Sequence, residues 1–160
     1  MATVHPFPAS RGAEIPMPSN VEAEAAFLGA VLIDNDTLGV APDLRAEHFF
    51  IPVHGRIFER IGVLKDRGKA VTPVTLKPYF EAGEGLKELG GTAYLARLTH
   101  DGQGLLNPGE LAEQIIELAE RRRLIEAAQS IIAAAQDLEA PVENITLPAA
   151  TSSAKGLAFE

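Results

Sequence analysis

Between Gly109 and Pro141 the chain has neither proline nor glycine, its longest run without a backbone breaker. Asn107 and Pro108 just ahead of it, and Glu110 at its start, supply an N-cap, a proline at the first helical position and an acid in the first turn. The spacing predicts a single helix over 107–138, about 30 residues and about 45 Å long at 1.5 Å per residue. Leu111, Leu118, Ile125 and Ile132 recur every seven residues, with Leu124, Ile131 and Leu138 on an adjacent row and Ala128 and Ala135 between. A seven-residue repeat on so long a helix needs a packed helical neighbour, because a small globule cannot bury the stripe along its whole length. That neighbour lies either in the same chain or in another subunit.

The preceding residues read as shorter helices. Prolines at 6, 8, 16 and 18 make residues 1–18 an extended arm. Ser19 and Glu22 offer a capping box, after which Ala25, Leu28, Gly29, Leu32 and Ile33 follow at helical spacing, closed by Asp34, Asn35 and Asp36. Gly39 and Pro42 break residues 36–51 into short turns. Pro52 opens a helix with Val53, Ile57, Phe58, Ile61 and Leu64 as its apolar stripe and Gly68 as its stop. Thr72 and Pro73 start another, turning Leu76, Tyr79 and Phe80 inward, with Pro78 as a candidate kink. Gly90 and Gly91 divide two further turns of helix, 86–89 and 92–98. No stretch alternates with period two for long. The fold class is therefore all-α: a bundle of short helices over 19–106, one long helix over 107–138, and a proline-broken, flexible tail over 139–160.

Composition removes many functions. The 160 residues carry 14 Lys+Arg against 22 Asp+Glu, a net charge of −8, which disfavours wrapping a nucleic-acid duplex. Zero cysteines exclude a disulfide framework, thiolate metal ligation and thiol catalysis. The N-terminus lacks the charged and apolar regions of a signal peptide, and no apolar run reaches membrane-spanning length, so the expected address is cytoplasmic.

Candidate motifs are weak. Gly62 to Lys69 resembles a phosphate loop, but five residues separate the glycines, Ala70 stands where a Ser/Thr is needed, and a helix precedes it. His48 and His54 are six apart and do not share a helix face, so His54 is expected to pack or cap at the head of its helix. Glu22 and Glu24 point apart, and no Ser/His/Asp constellation has support. Arg121, Arg122 and Arg123 form the one basic cluster; pairing of Glu117 with Arg121 and of Arg122 with Glu126 is expected to neutralise it.

Five segments, in order, carry a resemblance. They run from Pro18 through Leu28 and Gly29 to Asp34; over His48, Phe49, Phe50, His54, Ile57 and Phe58; over Val74, Thr75 and Leu76; from Leu89 through Gly90 and Gly91 to Tyr94 and Leu95; and over Arg122, Arg123, Leu124 and Ile125. Together, over residues 16–138, the chain resembles the N-terminal domain of the bacterial replicative DNA helicase family, DnaB. The resemblance implies a helical bundle followed by a long helical hairpin that pairs domains into a collar, from dimer toward hexamer. It also implies docking of a DnaG-type primase and of a helicase loader, with DNA engaged only indirectly.

Two departures stand out. Thr72 occupies a capping position where the family has Asp, and a proline-broken tail replaces the second arm of the hairpin. The family's ATP-driven 5′→3′ unwinding, with its ATP and Mg²⁺, belongs to a RecA-like motor for which these residues leave no room, so the chain is expected to be non-catalytic and to hold no cofactor and no metal. Leu118, Arg122, Ile125, Gln129 and Ile132 are the expected partner-binding residues, and Leu28, Phe49, Ile57, Phe58, Tyr94 and Leu95 the expected core. Rival readings are a helical DNA-binding module using Arg121 to Arg123, and a stand-alone modulator or inhibitor of a helicase ring.

Overall fold

The computed structural model describes residues 14–104 and 107–145. The element order is α1 (Val21–Ile33), two 3₁₀ turns (Asn35–Val40 and Ala46–His48), α2 (Pro52–Asp66), α3 (Pro73–Phe80), α4 (Glu84–Glu88), α5 (Ala93–Asp101), α6 (Pro108–Gln136) and a last 3₁₀ turn (Val142–Asn144). Among the described residues there is no strand, as the absence of period-two patterning predicts. The proposed arm residues 1–13 and tail residues 146–160 lie outside the described residues.

Helix α1 is the centre of the bundle. It packs against α2, α5, α6 and the first 3₁₀ turn, so it is buried on most of its circumference, with Phe27, Leu28 and Val31 fully enclosed. Enclosing such a side chain contributes about 1.5–3 kcal/mol, which makes α1 the element around which the others organise. Its start differs from expectation. Asn20, not Ser19, is the cap: its side-chain oxygen accepts from the Ala23 amide at 2.9 Å, while its Nδ2 donates to Gln114 on α6 at 2.9 Å. One side chain thus satisfies a helix end and ties it to a second helix, which a serine at 19 is too short to do. Ile33, expected on the stripe, is about half exposed because the chain leaves the bundle at Asp34.

The other helices follow their local signals. Helix α2 begins at Pro52, buries Val53, Ile57, Ile61 and Leu64, leaves Phe58 partly buried against the core, and is closed by Gly68 two residues after its last turn. There φ is +67°, and the amides of Gly68 and Lys69 return to the carbonyls of Lys65 and Leu64 at 2.8 and 3.0 Å. This is a Schellman C-cap, and the phosphate-loop look-alike is a helix end. Thr72 caps α3 by accepting from the Thr75 amide at 3.2 Å. Leu76 and Phe80 then point inward, whereas Tyr79, expected beside them, is exposed: it lies one residue off their row, and Arg60 covers its ring at 4.6 Å.

The tightest contact joins α1 to α5. A Cβ built on Gly29 would meet the Leu98 carbonyl oxygen at 1.8 Å, and one on Gly102 would meet the Gly29 carbonyl carbon at 2.2 Å. Two backbones touch where only hydrogens fit between them.

Candidate functional site

Helix α6 has two halves in different surroundings. Its N-terminal half is part of the bundle: Asn107 caps it by accepting from the Glu110 amide at 3.3 Å, Ala112 and Ile115 are buried, and Leu111 and Ile116 lie against the same core. Beyond Arg123 the helix has little head to lie on. Leu124 is 61% exposed and Ile132 55%, although both are large apolar side chains.

The five expected partner residues fall on one side of α6 but in three environments. Leu118 and Ile125 are half-buried, and Gln129 and Ile132 face solvent. Arg122 turns to the head instead, donating to the carbonyl oxygens of Pro18 at 2.8 Å and His48 at 2.7 Å, with its guanidinium 5.4 Å from the centre of the Phe50 ring. The expected Arg122–Glu126 pair is not formed. Helical side chains lean toward the helix N-terminus, and all three arginines do so. Arg121 reaches Glu117 at 2.7 Å, Arg123 reaches Glu120 at 3.0 Å, and Arg122 meets carbonyls on its way. No free triple-arginine patch is presented to a phosphate backbone.

A second side of the distal half forms a groove of about 510 Å³. Ala127, Ile131 and Ala134 line it with Arg123, Glu126 and Ser130, and Asn144 and Ile145 form a wall. After Gln136 the chain reverses, with the Ala140 amide bonded to the Asp137 carbonyl at 3.1 Å, and returns beside the helix it has just left. The small residues at 127 and 134 make room for this return.

The head contains a buried polar cluster that the sequence reading missed. Glu24 is 2% exposed and His54 0%, and Tyr94 is also buried. His54 Nδ1 lies 2.8 Å from Glu24 Oε2, and His54 Nε2 lies 2.6 Å from the Tyr94 hydroxyl. Glu24 also accepts from the amides of Phe50 at 2.6 Å and Ile51 at 3.3 Å, at the N-terminal end of α2. Its carboxylate is thus placed where a helix dipole and unpaired amides favour an anion.

Glu–His–Tyr is an acid–base constellation by composition, yet Glu24 and His54 are enclosed in the core, and Tyr94 alone of the three lines a groove, beside Val21, Ala25 and Arg97. Burial also pushes the Tyr94 hydroxyl above its ordinary pKa, against the opposing charge of Arg97. The cluster is a polar cross-link between α1, α2 and α5. The sequence did hold a signal: Glu24 is the one acid within the run Ala23 to Leu32, whose other residues are apolar or glycine.

His54 is thus packed at the head of α2, as expected, and His48 Nδ1 accepts from the Arg45 amide at 3.0 Å. No cluster of three or more metal-ligating side chains converges among the described residues. No helix among them is long and apolar enough to cross a membrane.

The relatives of the chain agree with this architecture. Residues 16–117 match the family model described as the DnaB-like helicase N-terminal domain. The replicative DNA helicase DnaB of Rickettsia felis is 37% identical over 126 residues, covering 76% of this chain and 26% of that protein. That of Geobacillus stearothermophilus is 38% identical over 114 residues, covering 71% and 25%. The chain thus spans about a quarter of the length of these relatives. Among solved structures, the N-terminal domain of DnaB helicase from Mycobacterium tuberculosis superposes with a TM-score of 0.69 at 28% identity, over 76% of this chain and 89% of that one. A DnaB-like replicative helicase, solved with its interactions with primase, superposes with a TM-score of 0.59 at 29% identity, over 71% and 27%. With a family model spanning most of the bundle and the start of α6, and the same all-α fold in a solved N-terminal domain, the chain belongs to the DnaB-like helicase N-terminal domain family.

Proposed function

We propose that the chain acts as a non-catalytic collar module in DNA replication, self-associating through the distal half of α6 and docking a DnaG-type primase or a helicase loader on the resulting surface. The observation that carries this reading is the pair Leu124 and Ile132, large apolar side chains more than half exposed on a helix that extends past its own head. An apolar face of this kind is stabilised by covering it with another helix. Kinship with a helicase solved together with its primase interactions supports primase as a partner class. DNA is engaged only through the assembly, since Arg121 and Arg123 are paired with glutamates and Arg122 with backbone.

Light scattering tests the self-association. At tens of micromolar, where interfaces of this class saturate, the expected result is a mass at least twice the 17.0 kDa of one chain. Ile132→Asp changes an exposed side chain, so it should return the mass to one chain while leaving the helical circular dichroism unchanged. A monomer already in the parent protein would mean that the distal face serves no self-contact. Primase docking is read separately, by co-elution with the helicase-binding domain of a DnaG-type primase.

A further inference from the structure

Arg122 and the Glu24 cluster lie on the two sides of the same short segment, His48 to Ile51. From the inside, Glu24 holds the amides of Phe50 and Ile51. From the outside, Arg122 holds the His48 carbonyl and lies over the Phe50 ring. The Arg122 guanidinium also holds the Pro18 carbonyl, so the incoming arm is fixed at the same point. A continuous series of polar contacts thus runs from Tyr94 on α5, through His54 on α2 and Glu24 on α1, across residues 48–51, to Arg122 on α6. Arg122 stands near the place where α6 leaves the bundle. Below it the helix is anchored by Ala112 and Ile115; above it Leu124 and Ile132 are exposed. A helix held at one end turns about its last firm contact, and the geometry of that contact sets where the far end points. Fourteen residues separate Arg122 from Gln136, about 21 Å of helix at 1.5 Å per residue, so a small rotation at the pin becomes a displacement of several ångströms at the tip.

We propose that Arg122 is the pin of a head–arm joint, and that the Glu24–His54–Tyr94 cluster fixes the stance of the distal α6 by holding the segment His48–Ile51 on which the pin bears. Arg122 is a positioning residue in this role, replacing the direct partner contact expected from its place on the helix. Two carbonyls from separate segments demand two donors in fixed geometry, which a guanidinium supplies and an ammonium does not. The joint lies within one chain and stands or falls independently of any partner.

The chain has no cysteine, so spin labels can be placed at will. Asp66→Cys on α2 and Ala133→Cys on α6 put one label on the head and one on the distal arm, both at exposed positions. Pulsed electron–electron resonance on the labelled protein, diluted with unlabelled chain, should give one narrow distance distribution. Arg122→Gln should broaden or shift it by roughly twofold in width, and Arg122→Lys by less, while the circular dichroism and the cooperativity of melting persist.

Glu24→Gln reads the inner half of the linkage, and Tyr94→Phe, which removes one hydroxyl, reads it if Glu24→Gln does not fold. The expected result for either is broadening in the same direction as Arg122→Gln. A distribution as narrow in Arg122→Gln as in the parent overturns the pin. Broadening by Arg122→Gln with none from Glu24→Gln or Tyr94→Phe overturns the linkage to the cluster.

Discussion

Gly29 and Gly102 bring the α1 and α5 backbones within a hydrogen's width of each other, and no other residue fits at either point. Gly29→Ala must push a carbonyl aside rather than bend a side chain, so we expect a loss of about 3 kcal/mol or more in urea unfolding, at the upper end of overpacking costs. Gly39→Ala, with nothing within 4 Å of the new Cβ, is the control and should stay within about 0.5 kcal/mol of the parent. His48 gives a residue-scale prediction in pH. Its pKa lies below the ordinary 6.5 because burial, with the nearby charges of Arg45 and Arg122, outweighs the attraction of Glu47 and Glu120. On acidification the unfolded chain takes up the His48 proton before the folded one does. Stability from this group is therefore complete above about pH 6.5 and declines as pH falls toward the lower folded pKa. His48→Gln keeps an acceptor for the Arg45 amide and cannot titrate, so it should flatten the fall of melting temperature just below pH 6.5.

At the scale of elements, most helix ends were legible and several helix faces were not. Pro52, Thr72 with Pro73, Gly68 and Asn107 mark boundaries through contacts within a few residues, and the structure keeps each of them. Caps also cross-link elements, as Asn20 does by holding Ala23 and Gln114 together. Asn20→Ala should lower stability by about 1–2 kcal/mol in chemical denaturation, more than a cap alone at an exposed helix end. A smaller loss from Gln114→Ala, with the double variant no less stable than Asn20→Ala alone, would locate the excess in the cross-link. Helix faces were harder. Tyr79 and Ile33 sit on plausible stripes and lie exposed, because Tyr79 is one residue off the buried Leu76–Phe80 row and the chain leaves the bundle after the last turn of α1. Which side of a helix is covered depends on neighbours that periodicity does not name.

For the whole molecule, the long helix belongs to the head over its first half and projects apolar residues into solvent over its second. An assembly that covers Leu124 and Ile132 would make stability depend on protein concentration, since association stabilises by mass action. The melting temperature should rise with concentration in the parent protein and stay constant in Ile132→Asp. The charge of −8 is compatible with such packing because the glutamates of α6 are spread along it and two of them, Glu117 and Glu120, pair with arginines of the same helix.

The sequence by itself determined the helical class, the long helix and its boundaries to within two residues, and the family. The class and the helix follow from contacts between residues one to seven apart, and the family from the resemblance of five short segments in order along residues 16–138. Only the tertiary structure decided that His54 meets Glu24 and Tyr94, 30 and 40 residues away in the chain. It also decided that Arg122 holds Pro18 from 104 residues away instead of the glutamate four residues on. Such contacts depend on which helix faces are brought together, and that is set by the packing of the whole core rather than by the periodicity of any one segment.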